Sequence, residues 1–92
     1  MIAVTEGTLK LAGRLTMLTV PDLYAAGLQH LNHDNLLVDF SAVDAVDSAA
    51  VSMLLGWSRA AKAQQRSLQV VNLPDDLMSL ANLYGVAQML PQ

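Results

Sequence analysis

The sequence predicts a single α/β domain in which helices pack on a four-stranded mixed sheet, in the order β-β-α-β-α-β-α. A chain of 92 residues has room for one hydrophobic core but not for two, and 53% of its residues are hydrophobic, which is enough to fill that core. Short apolar runs typical of strands alternate with longer segments of helical periodicity. Such alternation indicates layered α/β structure with partly parallel strands.

The first two elements are predicted to be short strands at residues 2–4 and 8–12, separated by a turn at Glu6-Gly7. In the second strand, leucines alternate with polar or small residues, which is the period-two pattern of a half-buried strand. Gly13-Arg14 is expected to end this strand.

The first helix is predicted to begin after Thr19, whose side chain can cap it, and to run to about residue 31. Pro21 is tolerated in the first turn of a helix, and the positive end of the helix dipole favours Asp22 there. The side chains expected to face the core are those of Leu23, Leu28 and Leu31.

The remaining elements follow from the same signals. Residues 36–40 form a continuous apolar run, as expected for a strand buried on both faces or nearly so. The second helix begins at Asp47-Ser48 and continues to about Gln64, and residues 68–71 form the fourth strand. A third helix opens near Asp75 and stops at a glycine. Its apolar face holds Leu77, Leu80, Ala81 and Tyr84, and the glycine is Gly85.

The second helix has two different faces when its residues are placed about 100° apart. The side expected to pack on the sheet holds Ala50, Val51, Leu54, Trp57 and Ala61. The opposite side holds Ser48, Ser52, Gly56, Arg59 and Ala63, with Ala49 and Leu55 at its edges. Most of these residues are small, whereas long charged side chains usually cover a solvated helix face.

Two interpretations of this small-residue face stay open. Small side chains are tolerated on a solvent face, and Ser48 beside Asp47 is a candidate N-cap whether or not anything binds there. Alternatively, a smooth and nearly uncharged face allows another protein to approach closely, because few charged groups have to be desolvated.

Composition excludes several function classes. The chain has no cysteine, which rules out a disulfide scaffold, a thiolate zinc site and a cysteine nucleophile. Its net charge is −3 and its five cations are scattered, so no nucleic-acid partner is expected. The sequence shows neither a signal peptide nor an apolar stretch of about 18 residues, so a cytoplasmic protein is expected.

No arrangement of residues indicates catalysis, a metal site or a cofactor. There is no nucleophile–base pattern, glycine-rich phosphate loop or Walker motif. Asp39, Asp44 and Asp47 lie close in sequence, but we expect them to bond loop amides and to cap the second helix. His30 and His33 lack a third ligand and are expected to be solvated.

Several motifs resemble those of STAS domains. In that family a buried strand ends in an aspartate, and a short loop leads to an Asp-Ser or Asp-Thr helix start, as in residues 38–41 and 43–51 here. The element order and residues 11–15 agree as well. Further motifs resemble the small STAS subunits of bacterial phospholipid-transport ABC complexes, and they are Asp47-Ser48, Leu54-Leu55, Ala61-Lys62, Gln64, residues 80–84 and Leu90-Pro91.

The resemblance implies a cytoplasmic binding subunit without catalytic activity or cofactor. Its partner would be the ABC-transporter ATPase subunit, which links it to the permease and so to the inner membrane only indirectly. Its role would be to support the ATPase in the phospholipid transport that maintains outer-membrane lipid asymmetry. The resemblance implies docking at Ser48 and Tyr24, and the small-residue face of the second helix adds Ala49, Ser52 and Gly56 to the predicted docking residues. An uncovered docking surface also suggests a homodimer when the chain is isolated.

One departure from the family pattern bears on an alternative function. STAS regulators of sigma factors are phosphorylated at the second hydroxyl of an Asp-Ser-Ser-Gly motif, whereas this chain has Ala49 there and Ala50 at the glycine position. Ser48 occupies the first hydroxyl position and is the candidate phosphorylation or switch residue. The alternatives are therefore an anti-sigma-factor antagonist that exchanges partners with a kinase and, less favoured, a carrier of a lipid or nucleotide.

Overall fold

The computed structural model describes residues 2–5, 7–31 and 35–90. Glu6, His33 and Pro91, which the sequence analysis names, lie outside these ranges. The elements in chain order are β1 (Ile2–Thr5), β2 (Thr8–Leu15), α1 (Val20–Leu28), β3 (Asn35–Val46), α2 (Ser48–Ala63), β4 (Ser67–Val71), α3 (Asp75–Leu83) and a 3-10 helix (Ala87–Met89). The predicted fold class and order are confirmed, and the 3-10 helix is an element that the sequence does not predict.

The four strands form one mixed sheet in the order β1-β2-β3-β4. β1 and β2 are antiparallel, while β2–β3 and β3–β4 pair in parallel. The hairpin between β1 and β2 contains Gly7 at a φ of 75°, in the left-handed region that glycine adopts without strain. The carbonyl oxygen of Gly7 also accepts the N–H of Leu37 at 2.9 Å, which ties the hairpin to β3.

The core lies on one face of the sheet. In β3, Leu36, Val38 and Phe40 are buried, whereas Leu37 and Asp39 between them are only half-buried. The buried side chains join those of the helices in one hydrophobic cluster. The expectation that this strand is buried on both faces or nearly so therefore holds fully only for the face that carries Leu36, Val38 and Phe40, and the other face is half-buried.

β2 and β3 are longer than predicted. β2 continues through Gly13, which has a φ of 82°, and the pairing register with β3 shifts there and after Lys10. Glycine at positive φ lets the strand pass through an irregularity at which the sequence predicts its end. β3 continues to Val46, so the expected loop between Asp39 and α2 is mostly strand.

α1 begins after Thr19 as predicted, but its capping and its C-terminal end differ from the prediction. The hydroxyl of Thr19 donates to the Arg14 carbonyl at 2.7 Å and accepts the Thr16 N–H at 3.0 Å, so it does not cap the helix. The helix ends at Leu28, which is 38% exposed rather than inward. Gly27 takes the inward position, and Leu31 is buried beyond the helix end.

α2 and α3 have almost the predicted bounds. Asp47 is the N-cap of α2, so the alternative that Ser48 caps the helix is wrong. α3 ends at Leu83, and Gly85 follows at a φ of 72°, as a left-handed residue after a helix should. Tyr84 was expected on the core face, but it is 53% exposed because the helix has ended before it.

Candidate functional site

The outer side of α2 is the small-residue face that the helical wheel predicts. The inward residues are Ala50, Val51, Met53, Leu54, Trp57 and Ala61, and all of them are buried. On the outer side, Ser48, Ser52, Arg59 and Ala63 are exposed, while Ala49, Leu55 and Gly56 are half-buried. The hydroxyl of Ser48 has no hydrogen-bond partner among the residues that the structure describes.

α1 and α2 meet through two glycine–aromatic contacts. A Cβ atom on Gly27 would lie 2.2 Å from the ring of Trp57, and one on Gly56 would lie 2.7 Å from the ring of Tyr24. The two rings are nearly parallel with centroids 6.5 Å apart, and the Trp57 Nε1–H donates to the Tyr24 carbonyl at 3.0 Å. Gly56 therefore has an intramolecular reason to be small, which the sequence analysis did not find.

A groove of about 560 Å³ lies between α1 and α2. It brings together three of the predicted docking residues, Tyr24, Ser52 and Gly56. Val20 and Pro21 from the start of α1 continue its wall. Arg59 is the charged residue in its lining, and the rest of the concave surface that it offers another protein is apolar or uncharged.

The other two predicted docking residues lie elsewhere on α2. Ser48 lines a smaller groove of about 350 Å³ on the opposite flank of the helix, together with Tyr84 and Ser52. Ala49 is half-buried against the core, and its N–H donates to the Asp47 carboxylate. Ser52 is thus the predicted residue that lines the grooves on both flanks of α2.

Asp47 fixes the start of α2 and the loop before α1 together. One carboxylate oxygen accepts the Ala49 N–H at 2.8 Å, and the other accepts the Met17 N–H at 3.0 Å. The Asp47 N–H donates to the Leu15 carbonyl at 3.1 Å. These three bonds hold Met17, which is 72% exposed, beside the first turn of α2.

Exposed apolar side chains near α2 belong to the site but escaped the sequence analysis. Besides Met17, they are Tyr84 and Met89. Tyr84 lines the groove along α2 that contains Ser48, and Met89 lines another groove along α2 that contains Leu55. A signal for Tyr84 exists in the sequence, since a residue next to a helix-ending glycine has left the regular helical face. No comparable signal marks Met17 or Met89.

Asp39, within β3, has structural partners, whereas the Asp44 side chain has no hydrogen bond among the described residues, so its expected bond to a loop amide is not found. Asp39 accepts the Ser41 N–H at 2.9 Å and the Asn72 side-chain amide at 3.0 Å. The hydrogen bond from Asn72 and that from the Ser41 backbone hold the pKa of Asp39 below its usual range, because both favour the ionised carboxylate. In the described ranges, no three His, Asp or Glu side chains gather as metal ligands, and no helix is long and apolar enough to span a membrane.

Comparisons with known proteins agree with this architecture. A family model described as "Mlab, STAS domain" matches residues 2–91. The solved structure of the anti-sigma factor antagonist SpoIIAA in its unphosphorylated form matches with a TM-score of 0.74 at 19% identity, over 97% of this chain and 83% of that one. The phosphorylated form of SpoIIAA, the Bacillus cell fate determinant, matches with a TM-score of 0.69 at 19% identity, over 97% and 86%. No curated protein matches the chain.

Proposed function

The chain belongs to the STAS domain family, and on that premise we propose that it is a non-catalytic docking subunit of a phospholipid-transport ABC complex. It binds the ATPase subunit, an MlaF-like protein, and supports the assembly and activity of that subunit. Through the permease, the complex holds it at the cytoplasmic side of the inner membrane. The name of the matching family model, Mlab, supports this choice among STAS functions.

The observation that carries the proposal is the outer side of α2. Its N-terminal half exposes Ser48 and Ser52, and no charged side chain lies on α2 before Arg59. Tyr84 and Met17 flank this half with exposed apolar surface. Small uncharged side chains beside exposed aromatic and methionine side chains match the charge-depleted centre of a protein interface. A partner that covers this surface buries apolar area and desolvates few charged groups.

A partner-switching regulator of the anti-sigma-factor antagonist type is the second candidate. One observation favours it: the Ser48 hydroxyl in the first turn of α2 is exposed and has no hydrogen-bond partner among the described residues. Phosphorylation there would add about 1.5 to 2 negative charges at the positive end of the helix dipole. Against it, the residue at the family's phosphorylated position is Ala49, which has no oxygen to accept a phosphate. Constitutive docking therefore suits this chain better.

Binding to the purified ATPase subunit of the same organism's phospholipid transporter tests the proposal. Ser52→Tyr adds bulk without charge at the centre of the surface, and Ser48→Tyr does so at its end. Gln69→Tyr, on the exposed face of β4, is the matched control. We expect at least about tenfold weaker binding for Ser52→Tyr, because the added ring prevents close approach at the interface centre, where contacts carry most of the binding energy.

Folding has to be measured in parallel. Substitutions at exposed positions away from caps and cores change stability by about 0.5 kcal/mol or less, so all three variants should unfold like the wild type. Equal binding by the wild type and by Ser52→Tyr would contradict the surface assignment. No binding by the wild type would contradict the proposed partner.

A further inference from the structure

A second groove, of about 780 Å³, lies between the C-terminal half of α2 and the 3-10 helix. Its lining includes Leu55, Ser58, Arg59, Lys62, Met89 and Leu90. We propose that this cationic groove binds an acidic segment of the partner protein. The inference rests on the proposed function in one respect, namely that the partner is the ATPase subunit.

The charges of the chain are segregated around this groove. Residues 48–74 contain three cations and no acid, and residues 77–92 contain no charged side chain. All eight acidic residues therefore lie outside the two segments that form the groove, in a chain whose net charge is −3. The groove is a local cationic surface on an acidic protein, and such a surface attracts negative charge selectively.

The two groove cations are available to a partner. The Arg59 and Lys62 side chains are exposed, and neither side chain has an ion pair or hydrogen bond to any residue within the described ranges. Lys62 lies in the last turn of α2, where the helix dipole favours a cation. That effect does not account for Arg59, which lies farther from the helix end. Nor does it account for the lack of acids along α2.

The apolar lining determines what else the occupant must present. Leu90 is buried at 5% exposure, Leu55 is half-buried, and Met89 is 59% exposed. A flexible methionine beside fixed leucine side chains can adapt to an apolar anchor. The occupant that fits is therefore a peptide segment with carboxylates for Arg59 and Lys62 and an apolar side chain between them.

The position along α2 joins this groove to the docking surface. Ser52 and Arg59 are seven residues apart, which corresponds to about 10 Å along a helix. One partner can therefore cover the uncharged N-terminal half of α2 and extend an acidic segment along its C-terminal half. An anionic membrane is a poorer fit, because membrane-binding segments typically carry about four to eight clustered cations.

The test is a charge-neutralising double variant, Arg59→Gln/Lys62→Gln. The matched control is Lys10→Gln/Arg14→Gln, which removes the same charge from β2. Binding to the purified ATPase subunit is measured at about 50 mM and about 300 mM NaCl, since salt screens such pairs. We expect about tenfold weaker binding of the groove variant at low salt, a smaller difference at high salt, and a control within about twofold of the wild type.

Cross-linking identifies the occupant directly. The chain has no cysteine, so a single Gln88→Cys in the groove can carry a benzophenone, with Gln69→Cys on the sheet as control. We expect Gln88→Cys to cross-link to an acidic segment of the ATPase subunit. A cross-link to a segment without acids, or equal salt dependence of the groove variant and the wild type, would overturn the inference.

The outcomes separate this inference from the proposed function. Loss of binding by Ser52→Tyr with unchanged binding by Arg59→Gln/Lys62→Gln would leave the docking subunit in place and remove the acidic segment. Absence of wild-type binding to the ATPase subunit would remove both. Wild-type binding to phosphatidylglycerol vesicles that is lost in Arg59→Gln/Lys62→Gln would assign the groove to a membrane instead.

Discussion

Gly27→Ala tests the contact that holds α1 against α2 and so shapes the groove between them. The added Cβ atom would lie 2.2 Å from one ring carbon of Trp57 and 2.8 Å from Nε1. Carbon atoms in contact are normally about 3.5–4.0 Å apart, so the helix or the ring has to move by more than about 1 Å. Trp57 is fully buried, which leaves its ring no open direction in which to move.

The expected cost follows from three effects. Overpacking of a core costs about 1–3 kcal/mol, and the short distance here favours the upper end. Displacement of Trp57 weakens its hydrogen bond to the Tyr24 carbonyl, which contributes about 1 kcal/mol. Alanine in place of glycine within a helix recovers about 1 kcal/mol. The net destabilisation is about 3 kcal/mol, or a fall in Tm of about 12–24 °C for a domain of this size.

The assay is denaturant unfolding followed by the fluorescence of Trp57, the only tryptophan. Gly56→Ala is the matched comparison, because its Cβ meets the half-buried ring of Tyr24, which can swing toward solvent. We expect Gly56→Ala to lie within about 1 kcal/mol of the wild type, because the helix propensity of alanine offsets the displaced ring. A Gly27→Ala protein as stable as the wild type would refute the packing argument.

Three further outcomes are expected. Asp47→Ala should destabilise the protein by about 1–2 kcal/mol in denaturant unfolding, since it removes the cap of α2 and the hydrogen bond to the Met17 N–H. Asp47→Asn should retain most of that stability. Asn72→Gly keeps a residue suited to its φ of 59° but removes the hydrogen bond to Asp39, so the pKa of Asp39 measured by NMR should rise toward its ordinary range. The lowered pKa of Asp39 contributes stability that is present above the carboxyl's unfolded pKa of about 3.9 and is lost as pH falls through the folded pKa. The wild type should therefore lose its stability advantage over Asn72→Gly below about pH 4. An unchanged difference in stability at low pH would contradict this. Tyr24→Ala should weaken ATPase binding about tenfold, since it removes an aromatic wall of the α1–α2 groove, and unchanged binding would place the interface elsewhere.

α2 is the element that the sequence predicts best. Asp47 as a cap and the absence of proline give its start and length, and its wheel places the five predicted inward residues correctly but omits Met53, which is buried as well. These signals are local, because capping and helical periodicity depend on residues within a few positions of one another. The element order and the mixed sheet were predicted for the same reason.

The errors arise where contacts distant in sequence decide the outcome. Gly27 faces the core because Trp57, thirty residues later, occupies the space that a side chain would need. β3 extends to Val46 because β2 continues alongside it past an irregular register. The cationic groove likewise forms between α2 and residues that follow α3, so neither segment indicates it alone. Such pairings depend on the tertiary fold and leave no periodic pattern in the sequence.

The most direct test of the docking function is affinity capture of the tagged chain from its own cells, compared with the same capture by Ser52→Tyr. The account predicts that an ABC ATPase and its permease are enriched with the wild type and lost with the variant. Mass spectrometry of the captured chain should show Ser48 without phosphate. Enrichment of a serine kinase or a sigma-regulating protein, with phosphate on Ser48, would contradict the transporter assignment and favour the partner-switching regulator.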